Sequence, residues 1–160
     1  MVSLRNMTDD EFRVFLDDDI AVYASEKVKA GNWSPEESIE KSREAHLRLL
    51  PHGLRSAHQH LFTIEADGEA AGRLWLSSEP EAGRGTGFIY DVFVEERFRR
   101  RGVATEALRL LEAEARRLGL TRLALHVFAF NTAARALYDR LGYQVTNVNM
   151  AKSIAETEPA

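Results

Sequence analysis

Three arginines run straight into a glycine and a small residue at Arg99-Arg100-Arg101-Gly102-Val103-Ala104. Before them lies an aromatic, β-branched stretch, Phe88 to Val94, with strand character. After them Ala104, Ala107, Leu108, Leu111, Ala115 and Leu118 fall on one helical face. A strand that turns directly into a helix exposes the first helical N–H groups and about half a positive charge. Anions bind at such ends. Most helices blunt them with an acid in the first turn, whereas here the first acid is Glu106. Gly102 and Ala104 are small enough for a phosphate to approach the backbone, and Thr105 adds a hydroxyl donor. The ligand this suggests is a pyrophosphate. The bland reading is a solvated arginine run with a glycine that opens a turn, and the local residues leave the two readings level. The Gly-Lys-Ser/Thr ending of a Walker loop is missing, as are the later glycines of a dinucleotide fingerprint.

A second chemical feature is Asp91, which interrupts the apolar strand FIYDVFV. Strict alternation places it on the face opposite Tyr90 and Val92. It is either a base or a structural hydrogen-bonding residue. His46, His52, His58 and His60 crowd one segment. A metal site needs three or four ligands of suitable geometry, so no metal is expected, and pocket or hydrogen-bonding roles fit the histidines better. Glu36, Glu37, Glu40 and Glu44 read as a solvated helix face.

The elements that must position these residues follow from caps and periodicity. Val2 to Met7 suits an edge strand. Thr8 with Glu11 three residues later fits a capping box, and Phe12, Phe15, Leu16, Ile20, Tyr23 and Ala24 recur at helical spacing up to a stop at Gly31. Ser34, Pro35 and Glu37 mark a second helix start, ending near Leu50 before Pro51. Leu61 to Ala66 and Ala70 to Ser77 flank Asp67-Gly68, a hairpin signal. Ser78 to Gly87 reads as a loop and Phe88 to Val94 as a strand. The helix from Gly102 stops at Gly119, Leu123 to Phe128 is a strand, Thr132 to Leu141 is a helix stopped by Gly142, and Tyr143 to Met150 is a last strand. The order predicts an α/β (α+β) fold with a mixed, largely antiparallel central sheet flanked by helices. One domain over 1–152 and a disordered tail over 153–160 are expected.

Composition narrows the function classes. The 160 residues carry a net charge of -4, which disfavours a general nucleic-acid binder. With no cysteine, disulfides, thiolate catalysis and cysteine-based zinc sites are excluded. The start MVSLRNMTDDEF lacks the apolar run of a signal peptide, and no stretch approaches the ~18 apolar residues of a membrane span. A cytoplasmic protein without membrane partners is expected.

Arg99-x-x-Gly102-x-Ala104 resembles the Gln/Arg-x-x-Gly-x-Gly/Ala signature of the GNAT N-acetyltransferase superfamily. The later HVFAFNTAARALYDRLGYQ resembles its second signature, in which an Asn and then a Tyr before Leu-Gly-Tyr/Phe follow the fifth strand. The resemblance covers about residues 60–150. YASEKVKAGNW, LPHGL and FIYD are further similar to one bacterial subgroup of the family, which brings no known substrate.

This resemblance implies a GNAT-like fold, acetyl-CoA as cosubstrate and an amine acceptor. Backbone groups of Val92, Phe93 and Val94 would pair with the pantetheine arm. Amides from Arg100 through Arg101, Gly102, Val103 and Ala104 to Thr105 would hold the pyrophosphate next to Arg99. Asn131 would contact the cofactor, and Tyr138 would sit beside the thioester sulfur. The first two helices would form the substrate wall, bordered by Tyr23, Lys27 and Trp33, although Trp33 equally suits the core. Many relatives dimerise, so a homodimer is open.

Acetyl transfer to an amine needs a deprotonated amine, a stabilised oxyanion and a proton for the leaving thiolate. At pH 7 only about one in 2500 lysine-like amines is neutral, a deficit of ~4.6 kcal/mol. Tyr138 is the candidate general acid, against a reading as a core-capping tyrosine. A backbone N–H near Val92 or Val94 would meet the oxyanion. Where relatives carry a glutamate five residues before the Asn, this chain has His126, the candidate base, which equally suits a simple polar strand residue, with Asp91 as its rival. The competing class is a non-catalytic module that senses acyl-CoA.

Overall fold

The computed structural model describes residues 1–156. It divides into two compact units, 1–128 and 129 onward. The first unit orders β1 (Val2–Asn6), α1 (Asp9–Lys29), α2 (Pro35–Leu49), β2 (Gln59–Ala66), β3 (Glu69–Ser77), β4 (Thr86–Val94), α3 (Val103–Arg117) and β5 (Arg122–Leu125). The second contains α4 (Thr132–Arg140).

Local chemistry starts both early helices. The Glu11 amide donates to Thr8 Oγ1 at 3.2 Å, and the Thr8 amide donates to Glu11 Oε2 at 2.9 Å, so the expected capping box is present. At α2 the Ser34 amide donates to Glu37 Oε1, with Pro35 at the first helical position. Ser38, Ser42 and His46 form a buried stripe along α2, and Ser42 Oγ donates to the Ile20 carbonyl at 2.7 Å. Small polar side chains thus let α1 and α2 close on one another.

The sheet has strand order β1-β2-β3-β4-β5. Every pairing is antiparallel except the last, where Thr86–Ile89 runs parallel to Arg122–Leu125. Gly72 allows the close approach of β3 to β4, since a Cβ there would collide with the Phe93 carbonyl. Alternation sends Phe62, Ile64, Leu74, Leu76 and Val94 to one face. The buried stripe Val103, Ala107, Leu108, Leu111 and Ala115 of α3 packs along β1 and β4. On the other face Met7, Phe15, Leu50, Leu61 and Trp75 make a core beneath α1 and α2. Trp75 satisfies its N–H through Gln59 Oε1 at 2.8 Å, and Gln59 in turn donates to Ser77 Oγ.

Two sequence expectations are corrected. The register shift between Trp75 and Leu76 pairs Trp75 with Asp91 and Leu76 with Ile89, so Tyr90 is an extra residue in β4. This bulge puts Tyr90 and Asp91 on the same face, toward α1 and α2, whereas strict alternation had separated them. The strand expected over Tyr143–Met150 is absent among the described residues. Val145, Val148 and Met150 are exposed there, and strand propensity takes effect only through packing and a paired neighbour. Residues 153–156 carry no helix or strand, and the rest of the expected tail, 157–160, lies outside the described residues. No helix among the described residues is long and apolar enough to cross a membrane.

Candidate active site

β4 and β5 share hydrogen bonds only as far as Ile89 and Leu125. Beyond that point β4 continues to Val94 with β3 alone. The Glu95 amide bonds to the Ala71 carbonyl at 2.8 Å. By antiparallel alternation Asp91 and Phe93 therefore turn their backbone groups toward β3, and Val92 and Val94 turn theirs away. The Val94 carbonyl accepts from Arg99 Nε at 2.7 Å.

The turn into α3 has Arg100 at φ 60° and Gly102 at φ 74°, both left-handed. Nothing lies within 4 Å of where a Gly102 Cβ would stand. The first helical bond runs from the Glu106 amide to the Gly102 carbonyl at 3.0 Å, so the amides of Val103, Ala104 and Thr105 precede the ladder. Gly102 at the N-cap brings no side chain to cap them, and the first-turn acid is Glu106. The three arginines have separate fates. Arg99 braces Val94, Arg101 reaches Asp67 at 3.5 Å and lies over Phe98, and Arg100 joins Arg99 and Glu96 around a surface cleft. The turn thus presents the Val103, Ala104 and Thr105 amides with arginine side chains beside them.

On the α1–α2 face, Arg73 donates from Nε to Asp91 Oδ2 at 2.7 Å and from Nη1 to Asp18 Oδ2 at 2.6 Å. Its Nη2 lies 3.7 Å from Asp19 Oδ1. The rings of Phe15 and Phe93 lie 5.3 and 4.6 Å from the guanidinium carbon. Asp19 Oδ2 meets His46 Nε2 at 2.7 Å, and His46 Nδ1 meets the Ser42 carbonyl at 2.8 Å. A carbonyl only accepts, so Nδ1 carries a proton, and the carboxylate favours a second proton on Nε2. Burial alone would lower the His46 pKa, but the Asp19 and Ser42 hydrogen bonds outweigh it and raise it. Burial and the neighbouring Asp19 charge push Asp91 up to about 7 against the pull of Arg73.

Tyr23 and Trp33 meet edge to face at 5.5 Å, and Lys27 Nζ lies over both rings. Burial, Glu26, Asp19 and Tyr90 raise the Tyr23 phenol above its ordinary value. Tyr90 stacks on Trp75 at 4.7 Å. His126, just past β5, meets Phe128 edge to face at 4.8 Å. Burial and the Lys27 charge lower its pKa. Among the crowded histidines, His60 bonds Ser78 Oγ at 3.0 Å and only His46 enters the charge network.

In the second unit Asn131 precedes α4 as its N-cap, and its side chain makes no capping bond. Asn131 and Tyr138 stand two turns apart and therefore share a side of that helix. Tyr138 and Tyr143 rings pack at 5.5 Å.

Tyr23 and Trp33 thus pack on one another, and Asp91 lies on the α1–α2 side of the sheet in the same unit. Sequence reasoning missed Asp19 and Arg73 and left His46 undistinguished. A signal existed for each. Asp19 sits four residues after Phe15 and four before Tyr23, on the apolar stripe of α1. Arg73 shares strand parity with Trp75. His46 lies one turn after the buried Ser42.

The acetyltransferase (GNAT) family model matches residues 20–143. The uncharacterized N-acetyltransferase YycN of Bacillus subtilis is 41% identical over 154 residues, covering 96% of this chain and 99% of that protein. Its crystal structure superposes with a TM-score of 0.92 over 98% of this chain and 100% of that chain. YdgE of the same organism is 39% identical over 153 residues, covering 95% and 98%. A PaiA N-acetyltransferase from Thermoplasma acidophilum, solved in complex with coenzyme A, shares the fold at 14% identity, with a TM-score of 0.66 over 93% of each chain. The chain belongs to the acetyltransferase (GNAT) family.

Proposed function

We propose that this protein transfers the acetyl group of acetyl-CoA to a primary amine of a small molecule or protein, by direct attack. The observation that carries this reading is the outward-facing edge of Val92 and Val94 beyond the end of β5, followed by the uncapped start of α3. An extended amide-bearing arm suits the first, and a pyrophosphate suits the second. Arg99 to Thr105 form the pyrophosphate cradle, Val92 and Val94 offer backbone partners, and Phe93 lends its ring. Asn131 contacts the cofactor.

The acceptor approaches the wall of Tyr23, Trp33 and Tyr90, where Asp91 Oδ2 is held by Arg73 and Oδ1 has no hydrogen bond among the described residues. Asp91 binds the ammonium and takes its proton. The amine nitrogen attacks the thioester carbon, and a β4 backbone N–H steadies the oxyanion. The C–S bond then breaks, Tyr138 gives its phenolic proton to the thiolate, and the second proton of the attacking nitrogen leaves through water to restore the phenol as the amide forms. A second reading makes His126 the base. It is favoured by the burial and Lys27 charge that hold the ring neutral at pH 7.

Acetyl-CoA should raise the melting temperature and adenosine should not; no shift with acetyl-CoA would remove the cosubstrate assignment. An amine library read by thiol release then names the acceptor. Binding without release from any amine would instead favour an acyl-CoA sensor.

A further inference from the structure

Asp91 does not meet Arg73 alone, because Asp18 and Asp19 hold the same guanidinium and Asp19 also holds His46. Three carboxylates therefore face two cations, Arg73 and the doubly hydrogen-bonded His46. The three carboxylates outnumber the two cations by one, and Glu26 adds a further negative charge near Asp91. Asp91 is the member placed to receive a proton. It sits on β4 at the bulge, its side chain is 15% exposed, and one of its oxygens is bonded within the network. The rings of Phe15 and Phe93 flank the guanidinium at 5.3 and 4.6 Å, so the carboxylates share one packed cation.

We propose that Asp19 and His46 are positioning residues for acetyl transfer, dividing the Arg73 guanidinium between α1 and Asp91 and so governing the proton at Asp91. This rests on the reading of Asp91 as the group that takes the acceptor's proton. Asp19 acts as a like charge beside Asp91 and as a competitor for Arg73. His46 draws Asp19 toward α2 and adds positive charge to the cluster. The charged groups that act on Asp91 are Asp19 and Glu26 from α1, His46 from α2 and Arg73 from β3, with Asp18 of α1 bound to the same guanidinium. Removing Asp19 takes away the nearest like charge, and removing His46 takes away a cation, so the two changes act on Asp91 in opposite directions.

The test is a carboxyl-carbon NMR titration of the aspartate-labelled full chain, with Asp91 assigned through Asp91→Asn. Asp19→Asn should move the Asp91 midpoint down by about one pH unit, and His46→Gln should move it up by a similar amount. Stabilisation of each variant by acetyl-CoA checks that it is folded. Midpoints that stay in place, or move in the same direction in both folded variants, overturn the proposal. A separate arm addresses the underlying reading. If Asp91→Asn releases thiol at the wild-type rate with the amine identified in the screen, the network has no role in transfer and the proposal falls with that reading. If Asp91→Asn loses the rate and the midpoints do not move, only the positioning role falls.

Discussion

Arg99 donates its Nε to the carbonyl of Val94 at 2.7 Å, joining the end of β4 to the turn that begins α3. The bond links the two stretches proposed to hold acetyl-CoA, the strand edge and the uncapped helix start. Arg99 also lies 5.5 Å from the Phe93 ring. Arg99 therefore braces the joint between β4 and the turn. Arg99→Leu leaves that carbonyl without its charged donor, a loss of roughly 1.5 kcal/mol of stability. Thermal melts should show that loss, and calorimetry should show weaker acetyl-CoA binding because the joint between the two stretches is loosened. Unchanged affinity would separate the turn from the cofactor.

Gly102 stands at φ 74°, with open space where a Cβ would project. Gly102→Val should cost about 1–2 kcal/mol of backbone strain and place a branched side chain where the phosphate approaches. Thermal melts should show the strain, and the loss of acetyl-CoA affinity should exceed it. A variant that is destabilised but binds normally would put the pyrophosphate elsewhere.

Tyr138→Phe removes only the phenolic oxygen. If that oxygen protonates the thiolate, kcat should fall by about 10²-fold, with acetyl-CoA binding largely spared. Equal turnover would end the acid assignment.

His126 and Asp91 make different predictions for the acid limb of kcat/KM. With Asp91 as proton acceptor, the limb lies near pH 7, where burial and Asp19 have raised it, and His126→Ala leaves it in place. With His126 as base, the limb lies below the ordinary histidine value and vanishes in His126→Ala. Removal of the Lys27 charge would then move that limb upward, because Lys27 opposes protonation of the ring.

Glu11 accepts from Arg5, the Thr8 amide and Thr63, and its pKa is lowered from 4.5 to about 2, chiefly by the Arg5 hydrogen bond. A depressed carboxyl pKa stabilises the fold above the unfolded value of 4.5 and loses that contribution as pH falls through about 2. Because the pair is partly exposed, screening trims the contribution to roughly 1–2 kcal/mol. Glu11→Gln should therefore lower the melting temperature by several degrees at pH 7 and by far less near pH 2. An equal loss at both values would assign the effect to packing.

The sequence by itself determined what depends on near neighbours along the chain. Thr8 with Glu11 and Ser34 with Pro35 and Glu37 start the first two helices through contacts three residues long. The Asp67-Gly68 pair turns β2 into β3, and Gly102 adopts a φ that few other residues tolerate. Gly102 also belongs to Arg99-x-x-Gly102-x-Ala104, one of the two signatures that carried the family resemblance. Tertiary structure decided what depends on distant partners. The bulge opposite Trp75 turned Asp91 toward the helices, because one extra residue in a strand reverses the parity of everything before it. The early end of β5 at Leu125 freed the edge of β4. Tyr143 to Met150 had strand-forming residues but no ladder among the described residues. Asp19, His46, Arg73 and Asp91 come from four elements and meet only after the helices pack on the sheet. Their charge states follow from burial and from one another, and neither is a property of the chain before it folds.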